Sequence, residues 1–380
     1  MTKNKTILIL CDWFLPGFKA GGPIQSIATL TQYLAPHFHF KIITTDRDFK
    51  SNQPYSNVII NEWTVYEGRE VFYVSPENLN STFILKLIQT TPHDVIYLNS
   101  LFSKIFTIQP LSWRKQGKLT SKVVLAPRGM LRPGALAVKP LKKQLFLMYA
   151  KITGLFKEVL WQSTSAEETQ EIKNKIAQSV NISEISNFPK TSEAVKPIIK
   201  EKNKLNICFI GRILDVKNLM FACDIIKSIT NTIKFHVFGP IEDSEYWNKC
   251  QTCVKSLPKS VEFEYKGELT QDEIGKTIQH YHALFLPTRT ENFGHVIVET
   301  LQNSRPVIIS DQTPWRQLMQ HKAGFDISLD KPNEFVKAIN TLTDMNQEEY
   351  DRWCEAAKNY IQARLNIEAI INKYINLFNQ

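Results

Sequence analysis

Residues 285–311, FLPTRTENFGHVIVETLQNSRPVIISD, hold two carboxylates placed to do chemistry together: Glu291, and Glu299 eight positions later. The spacing predicts a strand, a polar loop carrying Glu291, a helix beginning near Phe293 with Glu299 about two turns into it, and a second strand after Pro306. The first turn of such a helix leaves backbone N–H groups unpaired at the positive end of the dipole, a seat for phosphate or sugar oxygens. Gly294 lets a ligand approach that backbone closely. Loop carboxylate, helix start and second carboxylate together suit a molecule with hydroxyls at both ends and a diphosphate between, such as a nucleotide-sugar. The same spacing also fits a plain surface helix with Glu291 near its N-terminus and Glu299 in water.

Other candidate chemistry is weaker. Gly21 and Gly22 stand at the entrance to the helix expected over IQSIATLTQYL, with Pro23 in its first turn, but the compact dinucleotide G-x-G-x-x-G is missing. Asp46-Arg47-Asp48 ends the second expected strand, and such a D-x-D occurs often by chance as well as at metal-diphosphate sites. Of the six cysteines, Cys250 and Cys253 make one C-x-x-C without a second pair, which argues against zinc and for a reduced, cytoplasmic protein.

The elements that must position these groups alternate. TILILC (6–11), FKIITTD (40–46) and DVIYLNS (94–100) read as strands separated by helical stretches, KVVLAPRGML (122–131) as a further strand followed by a loop with Arg128, Gly129 and Arg132, and 58–74 as a hairpin turning at Glu67-Gly68. After a proline-bearing polar stretch, a second series starts at LNICFIGRI (205–213), followed by a helix over 217–229. The expected organisation is residues 1–188 as a first domain, 189–204 as linker, 205–350 as a second domain, and 351–380 as helices returning to the first. A basic amphipathic helix over 139–157 carries Lys142 and Lys143, as a solvated face or as a surface for anionic lipid.

The 380 residues carry 46 Lys and Arg against 37 Asp and Glu, a formal net charge of +9, which favours anionic partners. The basic residues form no aromatic-interleaved stripe, so nucleic acid is not expected. No apolar run reaches the roughly 18 residues a membrane span requires, and the N-terminal apolar run reads as a strand rather than a signal peptide.

At GRILDVKN (211–218) and TENFGHVIVE (290–299) the sequence resembles retaining glycosyltransferases of family four. The resemblance implies a GT-B fold: α/β, two Rossmann-like domains whose parallel sheets face each other across a cleft, with C-terminal helices crossing back. It implies that Arg212 and Lys217 neutralise the donor diphosphate and that Glu299 accepts from the ribose. Glu291, with the backbone of Asn292, Phe293, Gly294, His295 and Val296, would hold the sugar and phosphates. Gly239, Gly267 and Leu269 would border the base, and Gly22 would close on the diphosphate from the other domain. Family members need neither metal nor cofactor. Asn99 stands where many carry a histidine, and Arg128 and Arg132 are expected on the acceptor side. The implied activity is transfer of a hexose from a UDP- or GDP-linked donor to a glycan or lipid-linked acceptor in surface polysaccharide synthesis, in the cytoplasm or on the inner face of its membrane. A sugar-nucleotide epimerase, a phosphorylase or a non-catalytic nucleotide-sugar binding protein are the competing readings. For Arg212 alone an ion pair with Asp215 is the plain alternative, and for Lys217 an exposed helix position.

Overall fold

The computed structural model describes residues 4–191 and 195–380; residues 1–3 and 192–194, the latter inside the expected linker, lie outside it. The chain divides into two compact units, Met1–Phe188 with Ile367–Gln380, and Pro189–Asn366.

The first unit is built on eight strands: β1 (Thr6–Leu10), β2 (His39–Thr45), β3 (Trp63–Tyr66), β4 (Arg69–Val74), β5 (Val95–Leu98), β6 (Lys122–Leu125), β7 (Leu160–Ser163) and β8 (Ile182–Glu184). They lie in the order β3-β4-β2-β1-β5-β6-β7-β8. Among the described residues only the β3–β4 pair is antiparallel; its turn residues Glu67 and Gly68 both take positive φ (47° and 76°), the backbone a tight hairpin requires. The central strands are buried on both faces, Ile7 to Leu10 and Val95 to Leu98 at 2% exposure or less, because helices cover both sides of a parallel sheet.

The helix Ile367–Asn379 completes this unit. Its Phe378 packs edge-on against Phe38 and Tyr97 at 5.3 and 5.8 Å, and Tyr374 stacks on Phe188 at 5.5 Å. The preceding helix, Gln347–Arg364, belongs to the second unit, where Tyr350 donates to the His282 carbonyl at 2.6 Å and Trp353 stacks on Phe325. The expected return of the whole 351–380 stretch is therefore corrected: only the last helix is part of the first unit.

The second unit has six parallel strands, β9 (Lys204–Ile210), β10 (Thr232–Phe238), β11 (Val261–Tyr265), β12 (Ala283–Leu286), β13 (Val307–Ser310) and β14 (Gly324–Ile327). Their order is β11-β10-β9-β12-β13-β14. Strand order reverses between β9 and β12, and at such a switch point the loops leaving the carboxyl ends diverge and open a crevice. The expected linker is no free tether. Lys200 is buried and its ammonium donates to the carbonyls of Glu201, Thr343 and Met345, while Arg305 holds the Lys196 carbonyl at 2.7 Å. Lys196 and Lys200 of the expected linker are thus strapped onto the second unit.

Candidate active site

The sequence places its candidate groups on the two loops flanking the β9/β12 switch point, and the structure stitches those loops together. Thr288 Oγ1 and the Arg289 N–H both donate to the Val216 carbonyl, at 2.9 and 2.8 Å. Asn218 Nδ2 donates to the Pro287 carbonyl at 3.0 Å, and the Glu291 N–H to the Gln312 carbonyl at 2.9 Å. Across this seam Lys217 Nζ donates to Glu291 Oε2, with both side chains only 16% exposed.

Lys217 is not a helix residue, as the periodicity suggests. It ends a 3-10 turn, Asp215–Lys217, and Asn218 at φ 64° turns the chain before the helix Leu219–Lys227 begins. An asparagine tolerates that left-handed backbone, and the kink aims Lys217 at the next loop instead of into solvent. Arg212 does not pair with Asp215. It donates to Glu242 at 2.8 Å, a carboxylate from the loop after β10, and Asp215 meets Arg289 at 3.2 Å. Sequence reading missed Glu242; nothing in its spacing marks it.

The helix after Glu291 runs His295–Gln302, two residues later than expected, with Gly294 as its left-handed N-cap and no side-chain cap. A Cβ at Gly294 would lie 2.8 Å from Ile297 Cδ1 and 3.0 Å from Glu291 Cγ, so glycine both permits φ 76° and leaves room for the Glu291 side chain. Phe293 is buried between His295 and Trp315, and Trp315 Nε1 donates to its carbonyl at 2.6 Å, which fixes the loop from behind. Val296 lies in the first turn, half-buried. Gly239 packs directly on the β9 loop, where any Cβ would fall 2.0 Å from the Gly211 carbonyl oxygen. Its N–H donates to the Gly267 carbonyl at 2.8 Å, so the loops after β9, β10 and β11 meet backbone to backbone; Leu269 is half-buried just beyond.

Glu299 is buried, and its Oε2 has no hydrogen-bond partner. It lines a cavity of about 40 Å³ with Lys190, Asp272, Lys276, Gln279 and Asn303. Burial pushes its carboxyl up to about 7, with Asp272 adding to the shift and Lys190 opposing it. A carboxyl oxygen that has shed water without gaining a partner is suited to accept from a ligand's hydroxyl.

The first-unit candidates are placed differently. Gly22 opens the helix Gly22–Leu34 at the end of β1, and Asp48 accepts from the N–H groups of Phe18, Lys19 and Phe49, fixing the loop before it. Asp46 is held by Arg47 at 2.7 Å, so both carboxylates of the D-x-D are engaged. Asn99 joins the Pro23 carbonyl to Arg128 Nε, at 3.4 and 2.7 Å. Arg128 also donates to Asn187 and to Tyr97 Oη. Each of the three guanidinium nitrogens of Arg128, expected on the acceptor side, donates inside the first unit. Arg132 is buried 3.8 Å from Glu171.

Two acidic side chains and an imidazole, His236, Glu262 and Glu264, form a possible cation cluster among the described residues, but Lys234 lies 3.2 Å from Glu262, and Lys266 is paired to Glu264.

Residues 190–360 match the family model of glycosyl transferases group 1. The second unit is a group 1 glycosyl transferase domain. Anabaena HepE, solved with UDP and glucose, aligns over 99% of both chains at TM-score 0.73 and 14% identity. Sucrose-phosphate synthase from Thermosynechococcus elongatus aligns over 99% of this chain and 98% of its own at 0.71 and 15%. At such identities the likeness establishes the fold, GT-B. In sequence, a 41.2 kDa protein of the Klebsiella pneumoniae cps region is 22% identical over 316 residues, 79% of this chain and 83% of the relative. For this glycosyl transferase domain, the seam joining Lys217 to Glu291 lies where the fold binds ligands, outside the carboxyl ends at the switch point.

Proposed function

We propose that the protein is a retaining, metal-independent hexosyltransferase that takes its sugar from a UDP- or GDP-linked donor and delivers it to a glycan or lipid-linked acceptor of surface polysaccharide. The observation that carries this reading is the Lys217–Glu291 pair beside the uncapped start of helix His295–Gln302. A lysine and a carboxylate held together at an anion-binding helix end separate naturally into a phosphate ligand and a sugar ligand. The donor diphosphate takes Lys217 from Glu291 and Arg212 from Glu242; Glu291 then accepts from the sugar hydroxyls, and ionised Glu299 from the ribose.

In the transfer step the acceptor oxygen bonds to the anomeric carbon as the bond from that carbon to the β-phosphate oxygen breaks. The acceptor proton passes to the leaving phosphate on the same face, which retains configuration. Lys217, Arg212 and the helix N-terminus stabilise the charge that develops on the nucleoside diphosphate, the work a divalent ion does elsewhere. The cps-region relative and the UDP and glucose bound to HepE support the pathway and donor class. A lipid-linked acceptor places the reaction at the inner face of the cytoplasmic membrane.

The test is a melting-temperature screen against UDP, GDP, ADP and dTDP, followed by product analysis with the sugar form of the best binder. Sugar on an acceptor with retained configuration supports the proposal. An isomerised donor, phosphorolysis, or tight binding without turnover or slow hydrolysis contradicts it.

A further inference from the structure

Eleven large hydrophobic side chains are exposed among the described residues, and six of them fall within residues 138–152: Val138, Leu141, Leu145, Met148, Tyr149 and Ile152. All but Val138 lie on the helix Pro140–Thr153. At about 100° per residue, Leu141, Leu145, Met148 and Ile152 form one straight stripe, and Tyr149 widens it. Leu141 is 74% and Ile152 78% exposed, so this is a face without a cover and not the rim of a packed one.

The helix has a separate inner face. Ala150 is buried, and Phe146 packs on Phe102 and Phe156 at 5.8 and 6.2 Å. Lys143 turns inward too, donating to the Ala135 carbonyl at 2.6 Å over the Phe102 ring. The outward stripe is thus additional to what folding needs.

Charge identifies what covers it. Residues 133–157 contain five lysines and no aspartate or glutamate. Lys142 borders the stripe on one side and Lys151 on the other, both exposed, with Lys139 and Lys157 at the ends. A second copy of the same face would set lysines against lysines with no acid between them, whereas an anionic bilayer offers acyl chains to the stripe and headgroups to its margins.

We infer that the helix Pro140–Thr153 lies in the surface of an anionic bilayer, with Leu141, Leu145, Met148 and Ile152 among the acyl chains and Lys142 and Lys151 on headgroup phosphates. This deepens the reading of a lipid-linked acceptor but needs no transfer activity.

Co-sedimentation with vesicles tests it, using phosphatidylcholine alone and phosphatidylcholine mixed with phosphatidylglycerol, without donor. The protein should sediment with the mixed vesicles, less so as salt is raised, and weakly with phosphatidylcholine. Leu145→Glu with Ile152→Glu should abolish sedimentation. Lys142→Ala with Lys151→Ala should weaken it about 30-fold, near fivefold per lysine. Both variants change exposed side chains, and unchanged circular dichroism melts certify their folds. Wild-type protein left in the supernatant, or variants that sediment as well as wild type, would overturn the inference. So would a dimer, seen by light scattering, that the glutamate variants dissociate. Nucleotide binding is measured on soluble protein, so either reading can fail without the other.

Discussion

Lys217 and Glu291, 74 residues apart, close an ion pair across the seam between the β9 and β12 loops. In the proposed function each is the other's stand-in for a ligand: the lysine occupies the carboxylate that a sugar would use, and the carboxylate the cation that a phosphate would use. Arg212 and Glu242 repeat the arrangement one loop away at 2.8 Å.

Because Glu291 competes with phosphate for Lys217, Glu291→Gln should bind the free nucleoside diphosphate no worse than wild type, and up to about fivefold tighter. Transfer should nonetheless fall by at least about 100-fold. Calorimetry and turnover on the same preparation check this; wild-type transfer would remove Glu291 from the site.

Arg212→Ala should weaken nucleoside diphosphate binding by about 10- to 100-fold, the size of one or two charge-assisted hydrogen bonds. The melting temperature without ligand should change little, since the lost partner is a half-exposed ion pair. Unchanged affinity would leave Arg212 with Glu242 only.

Glu299 must be ionised to be a good acceptor, and burial holds its carboxyl up to about 7. Donor affinity should therefore rise as pH climbs through 7, and Glu299→Gln should bind more weakly with a flatter profile. A wild-type profile flat between pH 6 and 8 (roughly one unit either side) would contradict the ribose role.

His282 is held neutral: its Nδ1 accepts from the Asn206 N–H at 2.9 Å, its Nε2 meets the Ile199 carbonyl, and burial pushes it down to about 4. The unfolded chain then binds more protons between about 6.5 and 4, so this site's contribution, on the order of 3 kcal/mol, is lost as pH falls through that window. Glu299, shifted upward, acts in the opposite sense between its ordinary value and 7. The check is the difference between wild type and His282→Gln melting temperatures, which should narrow on acidification. A constant difference would contradict the assignment.

Under the proposed mechanism chelation should leave turnover unchanged, because lysine, arginine and a helix end would carry the charge on the leaving diphosphate. Reversible loss of activity in EDTA would return attention to the His236, Glu262 and Glu264 cluster.

Strand–helix alternation was legible because buried parallel strands are continuous apolar runs, and the loop with Glu291 and Gly294 was legible because it follows one. Side-chain partners were not. Periodicity runs straight through Asn218, so it hid the left-handed turn that swings Lys217 toward Glu291. Glu242 and Asn187 come from other loops, and only the folded chain brings them to Arg212 and Arg128. The polar composition around Pro189 suggested a tether, whereas the buried Lys200 ammonium straps it down. The final helix and its predecessor look alike in sequence; what separates them is that Phe378 finds Phe38 and Tyr97 while Tyr350 finds His282.

The central claim is that Lys217 exchanges Glu291 for a donor's second phosphate. Calorimetric titration of wild type and Lys217→Ala with the matching nucleoside mono- and diphosphates tests it most directly. Wild type should prefer the diphosphate by about 10- to 100-fold, and the variant should bind the two almost equally. An undiminished preference in Lys217→Ala would contradict the account.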